Sequence, residues 1–454
     1  MFESLLIGTG IIFGILLLVL LTLLIWNKPV VVIYILFIYC SFFRILIAVG
    51  IPDFIKYFLD YLILMLLLQT ILQFNKTKSL NVRKPLFFIM LFLGIAIIST
   101  LVNNSGIVFF IWGLRVNVRF YVFFLACTIF LTSKDLDKLM KYLFIMLPVN
   151  TLVVMIQFHI MGLRFDWVGG LYGIHLGCND ELILLLIIVC TITVVYYVVG
   201  KINFLTFIIY IGMICLVAAY AELKIVYLIV AFEVFMIFVL SFPNARAIKA
   251  AFFSASFMIF SFLLLLLLYP EWRELLGSMD KAIAAVAVDD YGHAGALSRF
   301  RAGPFILKNI LIEPFQKLLG IGFGNADEFL IFTSSFYDRY QMTNYKIFRY
   351  ATILVELGII GIISYYLFFI SIIQENIRVK RKLKNDYVHY YYISLIISLL
   401  TIPLTVYNPS MYIDGAFVVF FFLTFPFILE KENFEKGLIS INYTEENNPG
   451  SVKI

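Results

Sequence analysis

Leu263-Leu264-Leu265-Leu266-Leu267-Leu268 closes a stretch, residues 249–269, in which no charged side chain follows Lys249 until Glu271. A bilayer core asks for about 20 mainly apolar residues in one helix. A soluble helix of this length needs a polar face, and this one has none. The stretch therefore reads as a membrane span. It also excludes a transmembrane barrel, whose short strands alternate lipid-facing and lumen-facing residues. Working outward, the same pattern recurs near 4–26, 29–48, 54–74, 85–103, 107–131, 139–161, 181–199, 203–219, 223–242, 349–373, 387–406 and 416–430. The fold class expected is an all-α, polytopic helical bundle of about thirteen spans. The first stretch lacks a basic leader and a small-residue cleavage site, so it reads as a retained span.

Composition agrees. Of 454 residues, 63% are hydrophobic, 14% charged and 48 are Phe, with a mean hydropathy of +1.01. Soluble domains are roughly 45–50% apolar and about 25% charged. A soluble enzyme, a disordered chain, a secreted disulfide scaffold and a nucleic-acid binder are excluded. Four of the five cysteines lie in apolar runs, with Cys178 in a loop, and the four histidines are scattered. No disulfide framework, metal site or cofactor is expected from this pattern.

Lys and Arg in short loops set orientation. Lys76, Lys78, Arg83 and Lys84; Lys134, Lys138 and Lys141; Lys201; Arg246 and Lys249; and Arg378, Lys380, Arg381, Lys382 and Lys384 all fall on one side if the spans alternate. That side reads as cytoplasmic. The N-terminus is then outside and the tail 431–454 inside. The chain divides into an N-terminal bundle (1–269), a large outer loop (270–348), C-terminal helices (349–430) and the tail. The loop is far longer than ordinary connections. It is not low-complexity and reads as an ordered cap of short helices.

The informative cations are those on the outer side. Arg44 nears the outer end of its span. Arg115 and Arg119 lie within a span, four apart and therefore on one helix face. Lys224 opens a span, Arg299 and Arg301 lie in the large loop, and Arg349 opens the next span. An ionisable group in a span costs at least ~2.5–3.5 kcal/mol on insertion scales, which makes it a functional candidate. Each has a bland alternative. Arg44 and Arg349 can snorkel to lipid phosphates, Lys224 can pair with Glu222, and the loop arginines can be solvated. Arg115 and Arg119 have no acid within a turn, so a structural pair needs a distant partner such as Glu233. Converging cations point to a bound polyanion. No phosphate loop, zinc motif or nucleophile elbow is present. Asp289-Asp290 reads as a solvated pair.

Ser298-Arg299-Phe300-Arg301, Leu319-Gly320-Ile321-Gly322-Phe323-Gly324, Tyr350 and Glu356-Leu357-Gly358-Ile359-Ile360-Gly361 follow one another after many spans. Together with Gly169-Gly170-Leu171-Tyr172-Gly173, Asn179 and Lys224, this order resembles the O-antigen polymerase and O-antigen ligase superfamily of bacterial envelope glycosyltransferases. Ligases carry a His-Asn pair where Ile347 and Phe348 stand here, so the likeness favours a polymerase. The resemblance implies a GT-C-like membrane enzyme of the inner membrane, acting at its periplasmic face. Its donor and acceptor would be oligosaccharides on undecaprenyl pyrophosphate, and a chain-length regulator is a possible partner. Ligase-type transfer and flipping of the same lipid-linked oligosaccharide are the alternatives. On this reading Arg115, Arg119, Arg299, Arg301 and Lys224 would clamp the pyrophosphate over one outer cavity. Glu222, His293 or Asp290 would serve as base. Arg44, Tyr345, Arg349 and Tyr350 would bind substrate, with Tyr337 and Tyr340 as further sugar-stacking candidates. No metal is required.

Overall fold

The computed structural model describes residues 22–74, 82–272, 278, 295–329, 333–381 and 385–435. The long helices are α1 (Pro29–Ala48), α2 (Tyr57–Leu72), α3 (Arg83–Asn103), α4 (Ile107–Phe130), α5 (Ser133–Met155), α6 (Asn179–Val199), α7 (Phe204–Tyr220), α8 (Lys224–Ser241) and α9 (Ala245–Leu268). Short helices α10 (Ala302–Phe305), α11 (Pro314–Leu319) and α12 (Ser335–Tyr340) follow. The chain then forms α13 (Arg349–Lys380), α14 (Val388–Tyr407), α15 (Ala416–Phe422) and α16 (Phe425–Glu435). Ten helices among the described residues are long and apolar enough to cross a membrane. The protein is all-α, and the described residues contain no sheet beyond one isolated bridge, Glu328 to Thr333.

Three expected spans differ. Nearly all of 4–26 lies outside the described residues. The run 203–219 is the 17-residue α7, short for a crossing. The run 416–430 is two helices that bend at Leu423-Thr424, so composition overstated its length as one rod.

The helices differ sharply in position. α6 is 89% buried over its most apolar window, whereas α9, home of the six-leucine run, is 17% buried. α6 packs against α8, α7 and α14, and α9 lies outside α7 and α8. α14 and α13 follow, 72% and 61% buried over the same kind of window, and α13 packs against α3 and α14. The connections after α4, after α6 and before α14 meet at one end. There Lys201 Nζ lies 2.7 Å from His389 Nε2, and the Tyr390 hydroxyl donates to Ser133 O. Residues 295–329 and 333–348 pack on the opposite end, here termed the loop end.

Two pieces of irregular backbone enter the bundle at the loop end. Non-helical backbone at such depth requires partners for its polar groups. In the 162–178 connection, the Gln157 side chain accepts from Gly170 N at 2.7 Å and donates to Gly170 O at 2.8 Å. Asn150 Oδ1 accepts from Leu171 N. The second piece follows α11. α13 breaks at Gly358, with φ 64° and ψ −162°, and the segment Leu319–Gly324 fits against the break. Ile321 N donates to Val355 O at 2.9 Å and Gly322 N to Glu356 O at 3.2 Å. Ser99 Oγ on α3 lies 2.5 Å from Leu319 O and 2.9 Å from Glu356 O, and Asn103 donates to Gly320 O. Only glycine permits this approach. A Cβ on Gly358 would sit 2.4 Å from the Leu318 carbonyl, and one on Gly320 would sit 2.3 Å from that of Glu356.

Candidate functional site

The glycine segment sets what comes after it. Gly324 lies against α4, where a Cβ would fall 2.1 Å from Phe109 O, and Gly113 is small enough to receive it. The chain therefore delivers Asp327, Glu328 and Phe329 beside the α4 face that carries Trp112, Arg115 and Arg119. Two adjoining chambers open there. The first, about 200 Å3, is lined by Lys56, Arg115, Val116, Arg119 and Asp414. The second, about 350 Å3, is lined by Lys56, Tyr57, Trp112, Arg115, Val116, Asp327, Glu328 and Phe329.

Each cation of the first chamber is held by a carboxylate. Lys56 pairs with Asp53 at 2.6 Å. Arg115 donates from Nε at 3.0 Å and from Nη2 at 2.6 Å to one oxygen of Asp60, and lies over the rings of Trp112 and Tyr57. Arg119 Nη1 is 2.7 Å from Asp414 Oδ1, and its Nη2 donates to Tyr412 O. Asp53 and Asp60 are not among the lining residues. Three cations and one carboxylate therefore face the first chamber, with the other carboxylates behind. Glu233 is not the partner of this pair. It is fully buried on α8 and accepts from Thr191 Oγ1 at 2.8 Å. The true partners are Asp60 on α2 and Asp414 in the turn before α15, which spacing along the chain cannot reveal.

In the second chamber Asp327 is only 6% exposed. The Tyr412 hydroxyl donates to its Oδ2, and Lys346 pairs with its Oδ1. Burial first, then Asp327, push the Tyr412 phenol well above its ordinary value, so it remains a donor. Glu328 is more open, its side chain 56% exposed, with Lys346 Nζ at 3.7 Å. Tyr337 hydrogen-bonds to Glu328, and burial with that bond raises its phenol. Trp112 and Phe329 stack at 5.5 Å.

The other sequence candidates sit elsewhere. Arg299, Arg301 and Lys224 do not line either chamber, so a single cavity with all five cations is corrected to one with Lys56, Arg115 and Arg119. Arg299 Nε donates to Tyr407 O, and its guanidinium covers the Tyr407 ring. Arg301 is exposed immediately before α10. Lys224 pairs locally with Glu222 at 2.9 Å and lies over Trp272, whose indole donates to the same carboxylate. Glu222 is thus occupied and lines neither chamber. His293 and Asp290, with Asp289, lie outside the described residues.

Arg44 is not a snorkelling residue. It pairs with Glu181 at 3.4 Å and Asp414 at 3.7 Å, and so backs the first chamber. Arg349 is 4% exposed, bonds Asn117 on α4 and lies over Tyr412 and Tyr365. Tyr345 is fully buried, and its hydroxyl donates to Ala326 O, so no ring face is open to a sugar. Tyr350 accepts from Gly303 N and donates to Arg299 O, which pins the loop to α13.

Sequence reading missed Lys56, Tyr57, Asp60, Trp112, Asp327, Glu328, Phe329 and Asp414. Asp60 had a usable signal, an acid within an apolar run, but only cations were weighed. Among the described residues no three His, Cys, Asp or Glu side chains gather as a metal site. Compared with known proteins, the chain matches no family model and no curated protein sequence.

Proposed function

We propose that the protein is a polysaccharide polymerase of the bacterial inner membrane, working at the periplasmic face on undecaprenyl-pyrophosphate-linked oligosaccharides. The loop end would face the periplasm, and the basic connections the cytoplasm. The observation that carries the reading is the chamber lined by three cations, Lys56, Arg115 and Arg119, and a single carboxylate, Asp414, with Asp53 and Asp60 outside the lining. In the reaction, charge builds on the departing pyrophosphate. Fixed guanidinium groups stabilise such charge without reorganising, and their planar forks match phosphate oxygens. The glycine-rich and Glu-Leu-Gly motifs that resemble the polymerase and ligase superfamily line neither chamber, but they seat the segment that leads to Asp327, Glu328 and Phe329.

The test is the lipid-linked species that accumulates when the gene is deleted. Single repeat units exposed on the periplasmic face are expected. Units trapped on the cytoplasmic face would overturn the reading in favour of a flippase. Full-length polymer left on the lipid would favour a ligase.

A further inference from the structure

We infer that the second chamber is the acceptor-saccharide subsite, and that the Glu328 carboxylate takes the proton from the attacking hydroxyl. This rests on the polymerase reading for its chemistry, but its evidence is the chamber itself. A sugar ring is amphipathic, with C–H faces and a hydroxyl edge. The chamber matches that division. Tyr57, Trp112 and Phe329 supply an aromatic wall, and Lys56, Asp327 and Glu328 a charged rim. Its volume of about 350 Å3 is at the small end of ligand sites, roughly 300–1,000 Å3, so it takes part of a repeat unit.

The two acids are not equivalent. Asp327 already accepts from Tyr412 and pairs with Lys346, so its oxygens are committed. That pairing fixes the backbone beside Glu328. Glu328 is open to the chamber, with Lys346 and the Tyr337 hydroxyl beside it. Lys56 and Arg115 line both chambers, so a hydroxyl in the second adjoins a pyrophosphate sugar held at the first. The acceptor oxygen forms a bond to the donor's anomeric carbon. The bond from that carbon to the pyrophosphate oxygen breaks, and its electron pair leaves with the lipid pyrophosphate beside Arg115 and Arg119. The hydroxyl proton passes to Glu328 and then to water. No oxidant, reductant or metal enters the balance.

Purified full-length protein tests this with two probes. One is the lipid-linked repeat unit, followed as polymer. The other is the same oligosaccharide freed from its lipid by mild acid, followed by calorimetry. Trp112→Ala should weaken binding of the free oligosaccharide at least tenfold. Glu328→Gln, which keeps the side chain's shape and one acceptor oxygen, should lose less binding than Trp112→Ala does, which also reports a folded chamber. The same variant should slow polymerisation by about 10²–10⁴, the usual worth of general base catalysis. Wild-type polymerisation by Glu328→Gln overturns the base, and unchanged binding by Trp112→Ala overturns the subsite. If the wild type binds the saccharide yet makes no polymer, the polymerase reading falls and the role of Glu328 with it. The Trp112 arm then still decides the subsite.

Discussion

Arg115 and Arg378 have equally exposed side chains, 31% each, yet they stand at opposite ends of the bundle in opposite electrostatic settings. Arg378 spans two carboxylates, reaching Glu375 on its own helix at 2.6 Å and Glu430 on α16 at 2.5 Å. Two carboxylates thus flank one guanidinium. Arg115 holds a single oxygen of Asp60 and faces a chamber shared with Lys56 and Arg119. The first arginine ties two helices together. On the proposed reading, the second is poised for a further anion. Exposure and residue type are the same, so the number of carboxylates facing each cation separates a fastener from a binding group.

The strongest way to break the comparison is to remove the chamber. Gly358→Val places side-chain atoms against the Leu318 carbonyl, at a φ that a β-branched residue does not adopt. Segment 318–329 should lose its seat, with little folded protein recovered. Size-exclusion yield and thermal unfolding in detergent check this. A Gly358→Val protein with wild-type yield and melting would show that the break is not required.

Exchanging the cations sharpens it. Arg115→Lys and Arg119→Lys keep the charge but lose the planar fork. Each should lower the polymerisation rate by about 10²–10³, as loss of one preorganised donor does. Arg378→Lys should polymerise at close to the wild-type rate. Equal rates for all three would erase the distinction between the two ends. The smallest expected effect is none. With guanidinium and ammonium groups as the counter-charge, polymerisation in excess chelator should match that in magnesium. Activity that vanishes and returns with magnesium or manganese would assign the counter-charge to a metal.

Much of this fold was legible because lipid imposes a length and a composition on each span. Helices α1 to α6, α8 and α9 coincide closely with the apolar runs. The paired Arg115 and Arg119 were also legible, since four residues return a helix to the same face. The rest depended on returns of the chain from afar. Asp414 reaches Arg119 across nearly 300 positions, and no local pattern announces it. Tyr345 illustrates the opposite failure. An aromatic in a polar loop reads as a surface platform, whereas its ring fills the core between α12 and α13.

The sequence by itself determined that this protein is a helical membrane bundle, because unbroken apolar runs have no other stable solution. It also marked the glycines, because close backbone contact and positive φ admit little else. Which spans are interior was decided by the tertiary structure alone. Of the six leucines of α9, Leu263 and Leu267 meet the outside and Leu265 is buried, while the comparably apolar α6 is enclosed, for lipid and protein interiors are alike to a leucine. The chambers were likewise a tertiary decision. The first needs Asp414 brought beside Arg119, and the second needs the loop seated at the Gly358 break to carry Asp327 and Glu328 to an arginine some two hundred residues earlier.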